Sequence, residues 1–162
     1  MRFNLLFQSS FLNLIFSLLV PFVSHTNELK YIFKSGSEGY NTFRIPSIIT
    51  TDSGVVLAFA EGRKNSSSDS GDIDLVLKRS VDGGKTWGDL IVIRDDSTNV
   101  CGNPSPVIDR KTGKIFLLST WNRGDDTESE IINMTSADTR RVYVMNSIAV
   151  SYTHLTLPTK CW

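Results

Sequence analysis

The sequence has no excess of charge of either sign: 17 Lys and Arg stand against 17 Asp and Glu over 162 residues. That balance removes the electrostatic footprint of a nucleic-acid binder or of a protein that seeks an acidic partner. Cysteine is nearly absent, with only Cys101 and Cys161, so no disulfide framework is implied. No Cys/His arrangement has the spacing of a metal site, and neither a metal nor another cofactor is expected. Helical signals are missing too, since no ten-residue stretch of the middle carries an apolar stripe of helical period. The apolar fraction of 40% and the aromatic fraction of 10% still belong to an ordinary globular protein.

The two ends differ from the middle. An apolar run from Phe11 to Val20 follows a single charge at Arg2 and closes on Pro21. One positive charge, a short apolar stretch and a helix breaker match a signal peptide over residues 1–26, and so a secreted, periplasmic or cell-surface protein. A retained N-terminal anchor is the alternative, although the run is short and interrupted for a membrane span. At the other end, Val150-Ser-Tyr-Thr-His-Leu-Thr-Leu-Pro-Thr159 resembles the translation of a transposase sequencing adapter, so residues 150–162 are expected to be non-native. The alternative is an edge strand on which Tyr152, His154 and Thr156 alternate. Residues 27–149 then form the domain proper.

In that middle, short apolar runs are punctuated by turn residues. Arg44–Thr50, Val55–Ala60, Ile73–Arg79 and Leu90–Ile93 read as four strands, the third half-exposed because it alternates. Together they make one antiparallel four-stranded meander, the unit of a propeller blade. The pattern restarts with Ser105–Ile108, Lys114–Leu118 and, after a polar loop, Arg141–Asn146. Aligning Asp74–Ser80 with Arg141–Ser147 gives a repeat of about 67 residues. One blade and most of a second cannot bury their own faces, so the chain is expected to be marginal or insoluble in isolation.

Between the third and fourth strands lies Ser80-Val-Asp-Gly-Gly-Lys-Thr-Trp87, an Asp box. Asp82 is suited to accept hydrogen bonds from turn amides, and Gly83 and Gly84 tolerate positive φ. Ser80 is placed to cap the same turn, and Trp87 is expected to insert between sheet layers. The spacing speaks for fold more than for activity.

A second set of motifs is Phe43-Arg-Ile-Pro46, Ala58-Phe-Ala-Glu-Gly-Arg63 and Gly102-Asn-Pro-Ser-Pro106. With the Asp box, and in this order over residues 30–147, they resemble the start of the bacterial sialidase (neuraminidase) catalytic domain. The resemblance implies an all-β fold, part of a six-bladed propeller. It also implies an exo-α-sialidase that hydrolyses terminal α-linked sialic acid from glycoproteins, glycolipids and oligosaccharides with retention. Sialylated glycoconjugates would be its partners, with no nucleic acid and no obligate protein partner. Arg44 matches the first arginine of the family's carboxylate-gripping triad, a role suited to a permanently charged, bidentate guanidinium. Arg63 matches an arginine beside the N-acetyl and C4 side of the sugar, and Asp69 the catalytic acid/base. Asn103 and Glu128 fall where the family has polar pocket residues. Asp72 and Asp74 compete with Asp69, Arg63 has Glu61 as a rival partner, and Trp121 reads as packing rather than a sugar platform.

Topology supports the grouping independently. In an up-and-down meander the start of strand one and the end of strand two share an edge. Arg44, Arg63 and the loop bearing Asp69 therefore meet on one edge, with Asn103 and Glu128 at the matching places of the next blade. The Asp-box turn belongs to the opposite edge. The family's tyrosine nucleophile, its glutamate and two further triad arginines would lie in later blades, and neither Tyr143 nor Tyr152 fits the nucleophile's role. Non-enzymatic Asp-box propellers and trans-sialidases are the alternatives.

Overall fold

The computed structural model describes residues 29–147, so the expected signal peptide and adapter-like tail lie outside the described residues. Within them, the chain from Tyr31 onward belongs to one unit. Strands β1 (Thr42–Thr50), β2 (Val56–Arg63), β3 (Ile73–Ser80) and β4 (Ile91–Arg94) pair in sequence as an antiparallel meander. A second meander is made by β5 (Val100–Asp109), β6 (Lys114–Asn122) and β7 (Arg141–Ser147). A single parallel bridge, Ile73 to Val100, links the two. Every strand read from the sequence is present, and β5 begins earlier than expected, at Val100 rather than Ser105.

Local chemistry explains the connections. Between β1 and β2, Thr51 Oγ1 accepts from the Val55 amide at 3.1 Å, and Gly54 takes the left-handed φ of 81° that a short turn requires. Asp109 nucleates the β5–β6 turn by accepting from the Lys111 amide at 3.0 Å and the Thr112 hydroxyl at 2.6 Å. The polar loop before β7 contains one helix, α1 (Glu128–Ile132), which sequence periodicity missed. It is nucleated by a capping box in which Thr127 Oγ1 accepts from the Glu130 amide and Glu130 Oε2 accepts from the Thr127 amide. None of its residues is buried, so no packing extends the helix beyond five residues.

The core lies between the meanders. Leu57, Phe59, Leu75 and Leu77 from β2 and β3 face Cys101, Ile115, Leu117 and Met145 from β5, β6 and β7. On the other side of the first meander, Tyr40, Ala60 and Val76 are covered by Phe33, Phe43 and Leu90. Both faces of β3 are therefore closed, and Ile73 to Leu77 are all buried. This corrects the half-exposed strand read from its alternation. Asp74, the polar residue that suggested an outward face, is buried with its own partners.

Register also corrects the repeat. Both first strands break step at the same place, between Arg44 and Ser47 in β1 and between Gly102 and Ser105 in β5. Ile45 (φ 52°) and Asn103 (φ 53°) occupy the two bulges, each just before a proline, and they are 58 residues apart. The spacing of about 67 holds only at the third strand, because the β6–β7 loop with α1 is longer than the β2–β3 loop.

The outer face of the second meander stays apolar and open. Leu118 and Val144 are direct cross-strand neighbours, and both are exposed, as are Val107 and Val142. Such a face promotes association. The isolated chain should therefore run as oligomers or aggregates in sedimentation, and a Val142→Thr/Val144→Lys pair should increase the monomer fraction. A wild-type chain that sediments as a stable monomer would contradict this.

Candidate active site

Arg44 is set by the β1 bulge. A β-branched residue at positive φ is costly, so the Ile45 conformation is held by its surroundings and re-aims the strand beside it. Arg44 Nη1 donates to Asp69 Oδ1 at 3.0 Å and to the Ser67 carbonyl at 3.3 Å. Arg63, at the end of β2, reaches the same oxygen: its Nη2 donates to Asp69 Oδ1 at 2.6 Å. Two guanidiniums from two strands thus converge on one carboxylate oxygen. The Asp69 side chain is still 54% exposed, whereas that of Arg63 is only 3% exposed.

Arg63 spends every N–H on the protein. Nε and Nη2 donate to Glu61 Oε2 at 3.1 and 2.6 Å, and Nη1 donates to the carbonyls of Ser67 and Ser68 at 2.6 and 2.7 Å. With the Asp69 contact, all five donors are engaged. In this geometry Arg63 faces the loop that carries Asp69. The hydrogen bond from Arg63 foremost, with the charges of Arg63 and Arg44 behind it, holds the Asp69 carboxyl below the usual aspartate range against the opposing effect of burial.

The loop bearing Asp69 is built by its serines and anchored at its neck. Ser66 Oγ accepts from the Ser68 amide, and Ser68 Oγ accepts from the Ser70 amide. The Lys64 amide donates to the Asp72 carbonyl at 3.1 Å, and Gly71 donates to the Gly124 carbonyl of the second meander at 2.8 Å. Gly124 has no room for a side chain, since a Cβ there would lie 1.8 Å from the Thr98 carbonyl oxygen. The Lys64 ammonium lies 3.2 Å from both Asp72 and Asp74 and 3.4 Å from Asp95. Those three carboxylates are close enough to share a cation, and Lys64 supplies one. Asp74 is buried, which raises its pKa, and it accepts from the Tyr40 hydroxyl at 2.7 Å. Asp72 and Asp74 thus serve as anchors, while Asp69 alone of the three meets the arginines.

Asn103 joins the group and Glu128 does not. The Asn103 amide donates to Glu61 Oε1 at 2.9 Å, and its side-chain Nδ2 donates to Thr120 at 2.8 Å. Glu128 opens α1 and pairs with Arg140 at 3.9 Å; among the described residues no contact ties it to Arg44, Arg63 or Asp69. Trp121 packs against the core cluster, donates its indole N–H to Asp96 and lies under the Arg141 guanidinium, in keeping with packing. Glu61 carries more of the site than its sequence context suggests. Its signal was its place two residues before Arg63, one side-chain alternation along the same strand.

No protein-family model matches the chain. The exo-alpha-sialidase of Arthroderma benhamiae is 35% identical over 126 residues, covering 67% of this chain and 30% of that protein. Among solved structures, the Hadza microbial sialidase Hz136 superposes with a TM-score of 0.63 at 28% identity, over 74% of this chain and 26% of its own. The chain belongs to the sialidase family. The intramolecular trans-sialidase of Ruminococcus gnavus is also similar, with a TM-score of 0.50 at 27% identity over 59% of this chain and 25% of its own. The chain spans about 30% of the length of the curated sialidases it matches first.

In this sialidase chain the Ser80–Trp87 segment is a self-capped loop between β3 and β4. Ser80 Oγ accepts from the Gly84 amide at 2.8 Å and donates to Asp82 Oδ1 at 2.7 Å. Asp82 in turn accepts from the Thr86 amide and hydroxyl at 2.9 and 2.6 Å. Gly83 and Gly84 take φ of 72° and 88°, as the loop requires. The Trp87 ring is half-exposed beside Gly84, and it is Leu90 that packs on the buried cluster. The loop closes on its own hydroxyls, carboxylate and amides.

Proposed function

We propose that this chain carries one flank of the active site of a secreted, retaining exo-α-sialidase built as a six-bladed propeller, of which these are the first blade and most of the second. The observation that carries the reading is the convergence of Arg44 and Arg63 on Asp69 at one edge of the first meander. A structural loop has no need of two arginines on one exposed carboxylate. In the complex, the sialic acid carboxylate would take Asp69's place on Arg44, the half-exposed member of the pair. Asp69, relieved of one cation and beside a new anion, would take up a proton. It would then donate that proton to the glycosidic oxygen as the C–O bond breaks, and its carboxylate would later accept a proton from the attacking water. The tyrosine nucleophile that the family resemblance implies, its glutamate and two more arginines would come from further blades, for which the open apolar face of the second meander provides a seat.

Expression of a full-length chain carrying this segment, beside the 162-residue chain, tests the reading. The longer protein should release sialic acid from a sialoside reporter, and the shorter should not. Turnover by the short chain would refute the need for further blades. A long chain that binds sialosides without cleaving them would instead be a non-enzymatic propeller. Because one structural neighbour is an intramolecular trans-sialidase, product analysis belongs in the same assay. Free sialic acid marks the hydrolase, and an anhydro or transferred product marks the transferase.

A further inference from the structure

We propose that Glu61 is a positioning residue of this site, a buried carboxylate that holds Arg63 in the conformation presenting Asp69 and ties it to the second meander through Asn103. The inference rests on the reading of Asp69 as the acid/base. Glu61 sits on β2 opposite Arg44, with its side chain 4% exposed. Oε2 accepts two bonds from Arg63, and Oε1 accepts the Asn103 amide from across the inter-meander boundary. One carboxylate thus touches both halves of the site edge.

The second meander makes room for it. Gly102 stands at the β5 position equivalent to Arg44, and a Cβ there would lie 2.5 Å from Glu61 Oε1. The carboxylate occupies the space that a side chain at 102 would fill. Nor does the blade repeat demand a carboxylate. The residue equivalent to Glu61 in the second meander is Thr120, opposite Gly102, and it only bonds the Asn103 side chain. Burying an ion pair is rarely the most stabilising choice available to a sheet. Here the pair sets a direction: with Nε and one Nη2 proton committed to Glu61, the other Nη2 proton points at Asp69 and Nη1 reaches the Ser67 and Ser68 carbonyls.

The test is Glu61→Gln in the full-length enzyme, with Gly102→Ala as an independent arm that displaces the carboxylate while leaving every charge in place. Glu61→Gln should lower kcat by about tenfold or more while KM changes less than about threefold. With Asp69 left as the sole carboxylate partner of Arg63, the pH–rate limb that reports the acid form should move to lower pH. Gly102→Ala should disturb the same limb, and Glu61→Asp should restore part of the profile. Wild-type kcat and profile in Glu61→Gln would overturn the proposal, as would a loss that only tracks the folded fraction. If Glu61→Gln does not fold, an unchanged profile in Gly102→Ala overturns it alone. Should the wild-type enzyme hydrolyse no sialoside, the acid/base reading fails instead, and the Asp69 carboxyl titration followed by NMR in wild type and Glu61→Gln still decides whether Glu61 controls Asp69.

Discussion

Asp69→Ala in the full-length enzyme is expected to lower kcat/KM for a natural sialoside by about 10²–10⁴-fold, the usual worth of a positioned general acid. The loss should depend on the leaving group. A sialoside with an acidic phenol leaves without protonation, so its bond cleavage should be far less sensitive to the substitution than that of a sialyl-galactoside. Equal loss on both substrates would mean that Asp69 holds Arg44 and Arg63 in place and does no proton transfer. Neither Asp72 nor Asp74 should show this leaving-group signature. Their carboxylates face Lys64 and, for Asp74, the Tyr40 hydroxyl, and their loss would loosen the loop without changing how the proton moves.

The same residue carries a pH prediction. Asp69 is held as a carboxylate, chiefly by the hydrogen bond from Arg63, which is the wrong form for a proton donor. Substrate must reverse that. A carboxylate bound at Arg44 competes for Nη1 and adds a negative charge near Asp69, and both effects favour the protonated form. The group should thus titrate at lower pH in the kcat/KM profile, which reports the free enzyme, than in the kcat profile, which reports the complex. For stability the sign follows from the lowered pKa. The tether between Asp69 and its arginines is present above the unfolded aspartate value and is lost as pH falls through the lower folded value.

Much of this site is readable from the chain alone, and the reasons are physical. Turn residues divide the chain so regularly that the strands follow, and the meander then dictates which ends share an edge. That is why Arg44, Arg63 and Asp69, spread over 26 residues of sequence, can be placed together from strand order alone. Side-chain allegiance is less readable. Which way Arg63 faces depends on Glu61, Ser67 and Ser68 claiming its donors, and of these only Glu61, two residues away on the same strand, is signalled by spacing. The same holds for β3, whose alternation of apolar and polar residues promises an open face. Asp74 breaks that promise because Tyr40 and Lys64 allow a carboxylate to be buried. Glu128 lies in the longer β6–β7 loop, which folds a capped turn of helix and sets that residue beside Arg140, a local detail that counting equivalent positions does not show.

Arg63→Met should cost about 3–5 kcal/mol of stability in urea unfolding of the full-length protein, the range for removing one partner of a buried ion pair. The reason lies in what is left behind. Glu61, nearly sealed from solvent, would keep only the Asn103 amide as a partner, and the carbonyls of Ser67 and Ser68 would lose their donor. Arg63→Lys should fall between, because a single ammonium cannot reach both the carboxylate and the loop carbonyls from one position. Adding Glu61→Leu to Arg63→Met should recover part of the loss, since no unpaired charge then remains in the interface, although the Asn103 amide still lacks its acceptor. That double variant separates the two duties of the pair. Stability should partly return while activity stays at the level of the single variant, because Asp69 then keeps only the bond from Arg44 and is no longer aimed by Arg63. A cost below about 1 kcal/mol for Arg63→Met would be the behaviour of a surface ion pair, and would show that the sealed Glu61–Arg63 contact opens to water in solution.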